Sequence, residues 1–120
     1  MAESDEVSAR VAQAILERLG YAVDVAATGP EVLQLFARTD YQLILMDSLM
    51  PQMNGFEATA RIRQLPGGRE IPIIGTTAQW SRAECIKAGM DDLASKPFER
   101  ARLEAILSSW INHDQQQSDA

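Results

Sequence analysis

The sequence predicts an α/β fold in which a parallel sheet is covered by helices on both faces, and three observations predict it. Leu43-Ile44-Leu45-Met46 and Ile71–Thr76 are apolar runs without polar alternation, as in strands buried on both sides. Segments with apolar residues at helical spacing alternate with these runs, the pattern of consecutive βα units. Three residues with reactive side chains, Asp47, Thr77 and Lys96, each fall at or just past the end of a different strand, the edge where such sheets bind ligands.

Taken in order, Val7, Val11, Ile15 and Leu19 recur at helical spacing, and Gly20 stops that helix. Tyr21 to Ala26 alternates as a strand, with Val23 and Val25 on one side. Thr28-Gly29-Pro30-Glu31 reads as a capping box with proline in the first turn, opening a helix through Val32, Leu33 and Phe36. Tyr41 to Asp47 is the strongest strand. Asn54-Gly55-Phe56-Glu57 is a second N-cap, and that helix runs to about Leu65 before Pro66-Gly67-Gly68 breaks it. After the strand Ile71–Thr76, Ser81 and Glu84 are spaced as a cap for a short helix ended by Gly89. Leu93 to Ser95 is a short strand before Lys96-Pro97. Leu103, Ile106, Leu107 and Trp110 give the apolar stripe of a final helix. The reading is one domain over residues 1–112 and a polar, Gln-rich tail over 113–120.

Composition narrows the function. The chain has 120 residues, enough for one domain, with 46% hydrophobic and 23% charged residues, as in an ordinary globular protein. A formal net charge of -6 argues against a nucleic-acid footprint, which needs clustered Lys and Arg. The single cysteine, Cys85, excludes an intramolecular disulfide and suits a reducing compartment. No apolar run approaches membrane-spanning length and the acidic start is unlike a signal peptide, so no membrane partner and a cytoplasmic location are expected.

An aspartate at a strand end can attack phosphorus and form an acyl phosphate. That transfer needs charge neutralisation more than covalent help. Lys96 supplies a point charge, Thr77 a hydroxyl donor, and a hard cation such as Mg²⁺ would hold further oxygens through carboxylates and a carbonyl. Singly, each residue has a commoner structural use, as a turn residue, a solvated charge or a strand-end hydroxyl. Their convergence on one sheet edge makes the site a functional candidate.

At these residues the chain resembles the response-regulator receiver family, most closely receivers of hybrid sensor histidine kinases. The matching segments are Leu43 through Glu57 (LILMDSLMPQMNGFE), Pro72 through Ala78, Ala88 through Asp92, and Ser95-Lys96-Pro97-Phe98. The resemblance implies a flavodoxin-like doubly wound parallel sheet of order 2-1-3-4-5. It implies Asp47 as phosphoacceptor, Lys96 as phosphoryl clamp, Thr77 as the switch hydroxyl, and a cis Lys96-Pro97 bond. It implies Mg²⁺ held by Asp47, Glu3 and the Leu49 backbone carbonyl. Ser4 stands where the family has its second acid, and Asp5 is a substitute displaced by one residue. The expected partner is a histidine kinase or a histidine phosphotransfer protein.

Three departures accompany the resemblance. Only Met1 and Ala2 precede Glu3, so the central first strand is missing from the sequence. A start inside the domain, a strand borrowed from a partner or a second copy by strand exchange (an oligomer), and direct pairing of the second and third strands are the alternatives, with the first favoured. The stretch from Thr77 to Gly89 is about one turn short. Leu93 stands where many receivers carry an aromatic switch residue.

The functional expectation is a phosphoacceptor receiver in a His-to-Asp phosphorelay. The alternative is a pseudo-receiver that docks a partner without phosphorylation. A phosphatase-like enzyme ranks last, because the position two residues after Asp47 is Leu49 instead of an acid. No enzyme is expected. His113 reads as solvated tail, Met46, Met50 and Met53 as packing, and Asp91-Asp92 as a solvated acid pair.

Overall fold

The computed structural model describes residues 1–76, 80–96 and 98–112. Five helices and three short parallel strands alternate: α1 (Glu6–Arg18), α2 (Gly29–Arg38), β1 (Ile44–Met46), α3 (Gly55–Arg63), β2 (Ile73–Gly75), α4 (Arg82–Lys87), β3 (Asp92–Leu93) and α5 (Arg100–Leu107), which runs into a π-helical turn over Ser108–Asn112. The sheet order is β1-β2-β3, all parallel, with Ile44 opposite Ile73 and Ile74 opposite Asp92.

The first strand is not absent, which corrects the sequence expectation. Ala2 bridges Ala26 on one side and Met46 on the other, both in parallel. Its N–H donates to the Leu45 carbonyl at 2.7 Å, its carbonyl accepts from Asp47 N–H at 3.0 Å, and Glu3 N–H donates to the Ala26 carbonyl at 2.9 Å. Three residues thus hold the central position, and direct pairing of the flanking segments does not occur. Together with Ala26 the order across the sheet is that of a 2-1-3-4-5 fold. The alternation expected for residues 21–26 is present, with Val23 and Val25 half-buried and Ala22 and Asp24 exposed. The segment pairs with the sheet through Ala26, which bridges Ala2, and through the Asp24 carbonyl, which accepts from the Met1 ammonium.

The capping signals hold. Thr28, Asn54 and Ser81 each accept from the backbone N–H three residues on, and Ser81 with Glu84 closes a reciprocal capping box; the box expected at Thr28 is not reciprocal, because the Glu31 carboxylate accepts from the Ala27 N–H instead. Gly20, with φ of 97°, ends α1. The buried face of α1 differs from the expected stripe. Ala9, Ala12 and Leu16 are buried, whereas Val7 and Val11 are 70% and 46% exposed.

The core is divided by the sheet. Met46, Ile62, Ile73 and Cys85 pack on one side, and Leu16, Leu45, Ile74, Leu103 and Leu107 on the other. Met50 and Met53 pack against the first cluster, as expected of packing residues. Asp91 and Asp92 are not simply solvated. Asp91 accepts from Ile73 N–H and from Arg63, whose guanidinium also donates to the carbonyls of Gly68, Ile71 and Gly89. Asp92 accepts from Arg82, from its neighbour's N–H and from the Trp110 indole. His113, the polar tail and the Lys96-Pro97 bond's proline fall outside the described residues.

Candidate active site

Asp47 is the first residue past β1, and its side chain is set at the carboxyl edge of the sheet by two backbone constraints. Its N–H donates to the Ala2 carbonyl at 3.0 Å, and the next turn is closed by Gly55 N–H donating to the Ser48 carbonyl at 2.9 Å. Gly55 is required there. A β-carbon on it would lie 2.0 Å from the Asp47 carbonyl oxygen, well inside contact distance. Between them, Gln52 takes a positive φ of 71°, uncommon for a residue with a side chain, to turn the loop back onto α3.

Asp47 is 6% exposed, enough to open onto the surface without being freely solvated. Its Oδ1 lies 3.4 Å from the Leu49 N–H, and its Oδ2 lies 3.4 Å from the Lys96 ammonium. Lys96 also ion-pairs with Glu3, which is 2% exposed. Two nearly buried carboxylates therefore share one ammonium. Burial pushes the Glu3 carboxyl above its ordinary range, Lys96 pulls against that, and Asp47 adds to the rise. A net negative charge in a partly enclosed pocket favours an added cation.

The remaining candidates divide. The Leu49 carbonyl accepts from the Ser4 hydroxyl at 3.2 Å and so lies on the acidic side of the site. Asp5 does not face it in this structure. Its Oδ2 accepts from both the N–H and the hydroxyl of Ser8 and caps α1, while its own N–H donates to Glu3. These bonds hold the Asp5 carboxyl below its usual range. Thr77 lies outside the described residues. The residue before it, Thr76, is buried and donates its N–H to the Met46 carbonyl at 2.9 Å, which carries the chain to the same edge as Asp47.

Among the described residues no three His, Cys, Asp or Glu side chains form a ready-made cation cage. Two carboxylates and a backbone carbonyl are present, and such an oxygen set, completed by water, fits Mg²⁺ better than a softer metal. Sequence reasoning missed Gly55 as a cradle, because Asn54-Gly55 also reads as a helix cap. It missed the Gln52 turn, which no local signal marks.

This arrangement defines a class: an α/β domain with a recessed, lysine-paired aspartate at the carboxyl edge of a parallel sheet. The profile of the response regulator receiver domain family matches residues 1–108, and the chain belongs to that family. Over 96% of its length it is 40% identical to the hybrid signal transduction protein dokA of Dictyostelium discoideum, covering 7% of that protein. Over 98% it is 34% identical to the aerobic respiration control sensor protein ArcB of Escherichia coli K12, covering 16% of it. The chain thus spans a small part of these relatives. Its fold matches the receiver domain of the sensor histidine kinase PA1611 of Pseudomonas aeruginosa, with a TM-score of 0.86 and 41% identity over 92% of this chain and 93% of that one. That structure has a magnesium ion in its active-site cleft. No helix among the described residues is long and apolar enough to cross a membrane.

Proposed function

We propose that the chain accepts a phosphoryl group on Asp47 from a histidine of a kinase or phosphotransfer protein, within a two-component phosphorelay in the cytoplasm. The observation that carries this reading is the recessed Asp47 carboxylate 3.4 Å from Lys96 and open at the carboxyl edge of the sheet. An Asp47 oxygen forms the new P–O bond as the P–N bond to the donor imidazole breaks, and the imidazole leaves as a neutral base after taking a proton. Lys96 neutralises charge on the phosphoryl oxygens, and Thr77 is the hydroxyl proposed to donate to another.

Glu3, Asp47 and the Leu49 carbonyl would hold Mg²⁺, with Asp5 joining only by giving up its cap on Ser8. When bound, the ion supplies Lewis-acid charge neutralisation at the phosphoryl oxygens. The chain acts as an acceptor and not as a turnover enzyme: Leu49 offers a backbone carbonyl but no acid to protonate a leaving group. Its similarity to hybrid kinase relatives supports a histidine donor, and its charge of -6 gives no support to a nucleic-acid partner.

Intact mass after incubation with acetyl phosphate and Mg²⁺ tests the assignment. One phosphate adduct is expected on the unmutated chain and none on Asp47→Asn. An adduct that persists in Asp47→Asn would overturn Asp47 as acceptor.

A further inference from the structure

The loop after β1 closes its carbonyls mostly on itself and on α3. The Ser48 carbonyl accepts from Gly55 N–H at 2.9 Å, and the Pro51 carbonyl from Met53 N–H at 2.8 Å. The Leu49 carbonyl is different. Its proton comes from a side chain 45 residues away, the exposed Ser4 hydroxyl, at 3.2 Å. Ser4 stands between Glu3 and Asp5, the residue that caps α1.

Each group of the oxygen set assigned above to Mg²⁺ is therefore engaged from within the chain. Glu3 takes the Lys96 ammonium and, at 3.1 Å, the Asp5 N–H. Asp47 takes Lys96 at 3.4 Å. The Leu49 carbonyl takes Ser4. These engagements do not resist a cation equally. A carboxylate has about four lone-pair sites and keeps its charge, so Glu3 and Asp47 attract a cation whatever else they bind. A neutral carbonyl has two lone pairs, and a hydroxyl proton on one of them turns the positive end of a dipole toward a cation on the other. The residue type at position 4 decides whether that proton is there. Serine has one to give. An ionised Asp or Glu has none, and would turn to a cation together with the carbonyl instead of bonding it. Ser4 thus joins directly two segments that a shared cation would otherwise join.

We propose that Ser4 is a positioning residue that closes the Leu49 carbonyl against a divalent cation, so that filling the site requires the hydroxyl to turn away. The inference rests on Glu3, Asp47 and the Leu49 carbonyl being the oxygen set. The same bond holds Leu49, whose N–H faces Asp47 Oδ1 at 3.4 Å, so opening it frees the peptide beside the acceptor. Cation affinity is then set in part by a neutral residue outside the oxygen set.

The test is calorimetric titration of the full chain with MgCl₂ at fixed pH and ionic strength, beside Ser4→Ala, Ser4→Thr and Glu3→Gln. Ser4→Ala, which has no proton to give, is expected to bind Mg²⁺ about two- to tenfold more tightly, the factor that corresponds to one hydrogen bond. Ser4→Thr, which keeps the hydroxyl, is expected to stay within about twofold of the unmutated chain, a smaller change than the loss of that bond. Unchanged affinity in Ser4→Ala would overturn the proposal, and weaker affinity would do so by making the hydroxyl a ligand instead of a competitor. Glu3→Gln tests the reading beneath it: affinity equal to that of the unmutated chain would remove Glu3 from the oxygen set, whatever Ser4→Ala shows. Binding by none of the four proteins would overturn that reading and the proposal together.

Discussion

Gly55 and Gly67 separate two ways in which a single methyl group acts on this molecule. At Gly55 the added β-carbon would meet the Asp47 carbonyl at 2.0 Å, so the loop carrying the acceptor must move. At Gly67 no atom lies within 4 Å, but φ is 78°, so the cost is backbone strain alone. Gly55→Ala is expected to cost about 1–3 kcal/mol in a urea melt and to slow labelling of Asp47 by acetyl phosphate several-fold. Gly67→Ala is expected to cost about 1–2 kcal/mol and to leave the labelling rate unchanged. Equal labelling rates in the two variants would show that the Gly55 contact does not position Asp47.

At the scale of elements, Asp92 ties β3 to α4 through Arg82 and to the π-helical turn after α5 through Trp110. Burial alone would raise its carboxyl, but Arg82, the Leu93 N–H and the Trp110 indole outweigh it and hold the group below its ordinary value of 3.8. A depressed acid stabilises the fold above its ordinary value, and that contribution is lost as pH falls through the folded-state value. Asp92→Asn is therefore expected to lose about 1 kcal/mol at pH 7, a modest amount because Arg82 is 63% exposed and water screens the pair. The stability curves of the two proteins should converge below pH 3.8, followed by urea melts read at Trp fluorescence. A gap that stays constant with pH would mean that the charge plays no part. The elements themselves were legible where a side chain acts on its own local backbone, as at the caps Thr28, Asn54 and Ser81. Asp47 and Lys96 were legible because each falls at a strand end on one edge, and Glu3 only through the resemblance to the receiver family. The inward face of α1 was not, because valine outweighs alanine in any hydropathy pattern, yet Ala9 and Ala12 are buried and Val7 and Val11 exposed. Gly55, Gln52 and the Arg63–Asp91 pairing were not legible either, since each depends on backbone that arrives from another part of the chain.

For the whole molecule the sheet is a partition, and β2 shows it best. Ile73 and Ile74 are adjacent and both fully buried, yet they point to opposite faces and belong to different clusters, one with Met46 and Ile62, the other with Leu45 and Leu103. Residues without shared partners make additive contributions, whereas residues in one packed cluster couple. Trimming one methylene from each leaves the fold within its stability margin. Ile73→Val and Ile74→Val are each expected to cost about 0.5–1.5 kcal/mol, and the double variant the sum of the two to within about 0.5 kcal/mol.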